Sequence, residues 1–106
     1  MIRKIRFSST LIKELLSYCN TDTKHFTESG LWEYSPNLLY QIIQNRNNIS
    51  TQVQDHLNDI FFNKIGLSYD DVMEVYKIID LKKKMSVKYK QAVAVYKEKE
   101  EDSNNE

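Results

Sequence analysis

Three residues of this chain carry the side chains most often used in catalysis and metal binding: His25, His56 and Cys19. His56 lies three residues before Asp59, a spacing that places an imidazole and a carboxylate on one face of a helix. Neither histidine has a second histidine or a cysteine at the spacing of a metal site. The pattern is typical of a surface His–Asp contact, so we expect neither a metal site nor an acid–base pair.

Cys19 falls on the apolar face of a predicted helix, and no histidine lies near it in sequence to lower the pKa of its thiol. We interpret it as a small buried hydrophobe. A single cysteine excludes an internal disulfide. With only two glycines, the chain also has no glycine-rich loop for a phosphate group. The sequence therefore predicts a protein that is not an enzyme and needs no cofactor.

Composition points to one soluble domain. The chain has 106 residues, 41% of them hydrophobic and 28% charged, with a formal net charge of +0 that gives no general attraction to nucleic acid. It shows no apolar run of membrane-spanning length and no secretory segment, so an intracellular, first of all cytoplasmic, address is expected. The basic, acid-free stretch Met1–Thr10 leaves three options open: a strand, an arm or a mitochondrial targeting segment.

The rest of the chain is organised around the stretch Leu67–Lys99, which contains no glycine or proline and predicts one long helix. At 1.5 Å per residue such a helix spans about 45 Å, longer than a compact domain of this size. Val72, Val75, Tyr76 and Ile79 follow at helical spacing and predict a buried face in the first half of this helix. We expect the bundle to end at the basic band, which is Lys82, Lys83 and Lys84.

Helical periodicity and capping residues predict the other elements. The fold class is all-α: a small bundle of four to five helices with one long C-terminal helix, and with a short N-terminal β-strand as an open option. Residues 1–98 form the domain, with the long helix over 68–98, and 99–106 form an acidic flexible tail. The other helices are predicted near 9–20, 22–29, 36–46 and 50–65. The predicted core is Leu11, Leu15, Leu16, Leu39, Ile42, Ile43, Val53, Leu57, Ile60, Phe61, Val72, Tyr76 and Ile79.

Beyond Lys84 the apolar residues continue as Met85, Tyr89, Ala92 and Tyr96, with the alternating steps of a coiled coil. We call these four residues the apolar seam. Charge is banded around it, with seven lysines against one acid from residue 77 to 97, and five acids against one lysine from residue 98 onward. The seam and Lys82 are the predicted binding residues. The protein is thus predicted to be an adaptor, inhibitor or assembly subunit that binds another protein or a second copy of itself.

A small DNA-binding regulator is the alternative. The helix pair over 38–62 resembles a helix-turn-helix in general form, with Gln52 and Gln54 placed to read base edges, although Asp55 shares that surface. The segment 3–19, a basic strand feeding a helix, is similar to the opening of ribbon-helix-helix repressors. That resemblance implies that Lys4 and Arg6 point into the major groove, but residues 21–34 depart from the short turn of that fold.

Overall fold

The computed structural model describes residues 4–104, with side chains described through Lys99. The first residues of the predicted strand or targeting segment, Met1–Arg3, and most side chains of the predicted acidic tail lie outside this part. The chain forms an all-α bundle with one long C-terminal helix, as predicted. Its elements are α1 (Ser9–Tyr18), α2 (Thr23–Glu28), α3 (Pro36–Ile43), α4 (Thr51–Asn58), a π-helix (Asp59–Lys64) and α5 (Tyr69–Asn104).

Serine side chains fix the start of four of these helices. Ser8, Ser35 and Ser50 each accept a hydrogen bond from the backbone amide three residues further on, at 3.2 Å in every case. Ser68 does the same for Asp71 at 3.1 Å, and the Asp71 carboxylate accepts in return from the Ser68 amide at 2.8 Å. This reciprocal pair is a capping box that also places negative charge at the positive end of the α5 dipole.

Left-handed residues close the helices. Gly30 and Gly66, with φ of 88° and 86°, lie in the left-handed conformation, which only glycine adopts without strain. Asn20 and Asn45 adopt φ of 58° and 60° and end α1 and α3 in the same way. Asparagine is the side chain that best tolerates this conformation after glycine.

The N-terminal segment is extended but forms no β-strand within residues 4–104. Its backbone pairs with two side-chain amides of α4 instead of a second strand. Gln54 accepts from the Phe7 amide at 2.7 Å and donates to the Phe7 carbonyl at 2.9 Å. Asn58 makes the same two contacts with Ile5, both at 2.9 Å. We call this arrangement of Gln54 and Asn58 on Ile5 and Phe7 the amide clamp.

Aromatic rings run through the centre of the core. Phe61 stacks on Phe7 at 5.6 Å and on Phe26 at 5.9 Å between ring centroids, and Trp32 lies 6.4 Å from Phe26. Phe7, Phe26 and Trp32 were absent from the predicted core. The other buried hydrophobic residues are Leu11, Ile12, Leu15, Leu16, Leu39, Ile42, Val53, Leu57, Ile60, Val72 and Val75.

The buried face of α5 is narrower than predicted. Val72 and Val75 are fully buried and Ile79 is half-buried, whereas Tyr76 is 40% exposed. Successive helix residues turn by about 100°, so Tyr76 lies at the edge of the stripe that Val72, Val75 and Ile79 define. The prediction that Tyr76 belongs to the core was wrong.

The predicted helix over 50–65 is also not one continuous α-helix. Its second half, Asp59–Lys64, is a π-helix, shown by the hydrogen bond of 2.8 Å from the Ile65 amide to the Ile60 carbonyl five residues earlier. The wider turn accompanies complete burial of the adjacent residues Ile60 and Phe61.

Candidate functional site

The surface of α5 divides where α1 stops covering it. Near the start of α5, the Tyr18 hydroxyl donates to the Asp71 carboxylate at 3.3 Å. About three turns further along, the Lys82 ammonium pairs with the Glu14 carboxylate at 2.8 Å, and the Glu14 side chain is only 17% exposed. Lys82, a predicted binding residue, therefore also ties the helix to α1 and marks the end of the bundle.

Beyond Lys82 the helix continues alone. It runs without interruption to Asn104, and the molecule measures 65 × 30 × 23 Å. Met85, Tyr89 and Tyr96 are 48%, 71% and 69% exposed. Ala92 is exposed between the two tyrosines. The seam residues thus share one solvent-facing stripe and take no part in the core.

One residue of this stripe was missed by the sequence reasoning. Val93 is half-buried against its helix neighbours and lines an apolar groove together with Tyr89, Ala92, Tyr96 and the stem of Lys97. Its position next to Ala92 widens the stripe on one side. A coiled-coil assignment could have found it, because Val93 takes the position that flanks the repeat of the seam.

Lysines surround the seam. Within residues 4–99, Lys84 pairs with Asp80 at 3.2 Å on the same helix, and Lys83, Lys88 and Lys90 have no ion-pair partner. All of these side chains are exposed. The part of α5 that leaves the bundle therefore carries an apolar stripe on one face and positive charge on its other faces.

Three of the residues predicted to contact nucleic acid, Lys4, Arg6 and Gln54, line one surface hollow together with Asp55. Both amide atoms of Gln54 are occupied by Phe7 in the amide clamp, while Gln52 is exposed on the same helix. Lys4 pairs with Asp55 at 3.1 Å, and Arg6 is exposed beside them. Residues 44–50 separate α3 from α4, about twice the usual turn of roughly three to four residues in a helix-turn-helix.

Each histidine contacts neighbouring residues of the bundle. His25 and Asp22 form an exposed pair at 2.8 Å, and Asp22 also caps α2 through the His25 amide; this contact raises the pKa of His25. His56 accepts from the Glu33 amide at 3.1 Å and lies within 5.5 Å of the Trp32 ring. Burial lowers the pKa of His56.

His56 and Asp59 each make their hydrogen bonds with other residues, not with each other. The Asp59 carboxylate accepts a hydrogen bond from the Asn63 side-chain amide at 2.8 Å and lies 3.7 Å from the Lys64 ammonium. Cys19 is partly buried, and burial is the first cause of the raised pKa of its thiol, followed by the charge of Asp71. A raised pKa disfavours the nucleophilic thiolate.

Among the described residues, no cluster of three or more histidine, cysteine or acidic side chains is placed to hold a metal ion. No helix in that part of the chain combines the length and the apolar character needed to cross a membrane. Comparison of the chain with protein-family models, with curated proteins and with solved structures gives no match.

Proposed function

We propose that this protein is a non-enzymatic interaction module, an adaptor, inhibitor or assembly subunit, which binds a protein partner through α5 beyond Lys84. The observation that carries the proposal is the apolar seam. Among the described residues, the Lys82–Glu14 pair is the ion pair furthest along α5 that joins this helix to the bundle, and the seam projects beyond it. Single exposed apolar residues are ordinary on protein surfaces, but a row of them aligned along one helix face is typical of a binding site.

The energetics of the helix support this interpretation. Most helix stability in proteins comes from packing an apolar face. The free part of α5 has such a face in Met85, Tyr89 and Tyr96, with nothing in residues 4–99 packed on it. A partner that covered this face would add the missing packing. Tyrosine is also one of the residues that most often dominate binding energy at interfaces.

Charge favours a partner with acidic groups beside its own apolar stripe. Lys88 lies at the edge of the seam, and Lys83 and Lys90 lie on the side of the helix that carries Val87. Within residues 4–99 none of the three has an ion-pair partner, and their positive charge would attract such a surface during encounter. Charges at the rim of an interface mainly increase the rate of association and fix orientation, while buried apolar contacts supply most of the affinity.

The test compares two matched variants of the full chain. Met85 lies in the seam and Val87 on the opposite face of the same helix, with exposed fractions of 48% and 55%. Met85→Glu places a charge in the interface, whereas Val87→Glu makes the same charge change away from it. In affinity capture from cells that express the protein, wild type and Val87→Glu should retain the same partners and Met85→Glu should lose them. Equal capture by all three would contradict the proposal.

A further inference from the structure

We infer that the partner of the apolar seam is a second copy of this chain, paired antiparallel along α5. This inference rests on the proposed function and names its partner. The seam residues fit a heptad in which Lys82, Tyr89 and Tyr96 take one core position and Met85, Ala92 and Lys99 the other. In an antiparallel pair these two positions face each other across the interface.

Side-chain size fits this orientation. In the register that sets Tyr89 opposite Ala92 of the second copy, Met85 lies opposite Tyr96 of that copy, so each tyrosine meets a smaller side chain. The symmetry of the pair repeats both contacts. A parallel pair would instead set Tyr89 on Tyr89 and Ala92 on Ala92, and the small Ala92 layer would leave a gap between two tyrosine layers. Packing of large against small residues is the arrangement that fills an interface.

Charge fits the same orientation. Residues 79–84 contain three lysines and one acid, whereas residues 97–102 contain two lysines and four acids. The antiparallel register brings these two segments together, each from a different copy. A parallel pair would bring the two basic bands together and also the two acidic segments, which is repulsive at both ends.

The bundle limits how far the two helices can overlap. In this register Lys82 lies opposite Lys99 of the second copy, so a pair of lysines ends the overlap on each side. At Lys82 α1 begins to cover α5, through the Lys82–Glu14 ion pair. The overlap is then about 27 Å long, and the two bundles sit at opposite ends, with their Val75 residues about 45 Å apart along the axis. Each bundle stays clear of the other.

The area available implies weak, concentration-dependent pairing. Two tyrosines from each copy, with Met85 and Val93, would bury on the order of 800–1,000 Å² of accessible surface in total. This is below the roughly 1,200 Å² that stable complexes bury. We therefore expect a weak, reversible dimer rather than a permanent one.

Sedimentation equilibrium of the purified full chain tests the pairing. The expected result is a monomer–dimer equilibrium that Met85→Glu weakens by more than about tenfold and that Val87→Glu changes by less than about twofold. A wild-type chain that remains monomeric at 500 μM, or equal weakening by both variants, would overturn the inference. If the purified chain is monomeric but captures another protein in a Met85-dependent way, self-pairing fails while the proposed function stands.

Disulfide cross-linking tests the orientation. Met85→Cys and Tyr96→Cys are made separately in a Cys19→Ser background and oxidised either alone or as an equal mixture. The antiparallel register predicts cross-linked dimer in the mixture, because position 85 meets position 96 of the other copy. Either variant alone should give little, since two copies of position 85 are about 16 Å apart along the axis. Efficient cross-linking of each variant alone would show a parallel pair and overturn the inference.

Discussion

Removing the Asn58 side chain should release the N-terminal segment from the bundle. Asn58 is 7% exposed, and its amide makes two hydrogen bonds of 2.9 Å with the Ile5 backbone and one of 2.9 Å with the Gln54 carbonyl. Each such bond contributes about 1 kcal/mol net, and loss of the amide also leaves the Ile5 backbone without a partner. We expect Asn58→Ala to cost about 2–3 kcal/mol, which lowers Tm by about 10 °C in a domain of this size.

Two glutamines of the same helix provide the control. Gln54→Ala removes the two hydrogen bonds to Phe7 and should cost about 1–2 kcal/mol, while Gln52→Ala changes an exposed side chain and should stay within about 0.5 kcal/mol. Thermal unfolding followed by circular dichroism measures all three variants. If Asn58→Ala and Gln54→Ala shift Tm no more than Gln52→Ala does, the amide clamp does not hold the N-terminal segment in solution.

Further predictions concern the free half of α5, the histidines and the cysteine. Truncation after Lys84 should leave Tm within about 2 °C of the full chain in thermal unfolding, because none of residues 85–99 belongs to the described core. A much larger fall would show that the removed residues support the fold. NMR titration should place the pKa of His56 below 6.5 and that of His25 above it. Neutral His56 stabilises the fold above the unfolded pKa, and this contribution is lost as the pH falls through its lowered folded pKa. The contribution of His25 is present below the unfolded pKa and is lost as the pH rises through its raised folded pKa; reversed midpoints would contradict both assignments. Cys19 should react with a thiol reagent more slowly in the folded chain than in urea, and equal rates would show that burial does not protect it.

The parts of this fold that local chemistry determines could be predicted from the sequence. Ser35 followed by Pro36 marks a helix start, and Gly66 marks an end, because each acts within a few residues of the chain. The length of α5 and its division near Lys82 could be predicted for the same reason. Helical periodicity and the run of lysines are visible without any tertiary contact.

The parts that depend on distant contacts could not be predicted. The amide clamp joins residues 47 and 53 positions apart, and nothing near Ile5 indicates that a glutamine and an asparagine will replace a partner strand. Gln54 was for that reason interpreted as a base-reading residue. Tyr76 was placed in the core because periodicity gives the direction of a buried face but not its width, which α1 and the rest of the bundle determine.

The candidate site was easier to predict from the sequence than the rest of the molecule. Met85, Tyr89, Ala92 and Tyr96 follow one repeat on one helix, so a pattern within twelve residues predicted that they share a stripe. That they face solvent depended on where the bundle ends, and the Lys82–Glu14 contact now defines that boundary. To predict that Val93 widens the stripe, the position next to the heptad repeat of the seam would also have had to be assigned.

Amide hydrogen exchange along α5 tests the central claim most directly. In the dilute chain, amides around Val72 and Val75 should exchange only on global unfolding, while those from Met85 to Tyr96 should exchange by local opening. When the partner is bound, or when the chain is concentrated, the slowing of exchange should be confined to the second group. Slowing that appears instead on α1 to α4, with Met85 to Tyr96 unchanged, would contradict the assignment of the seam as the binding surface.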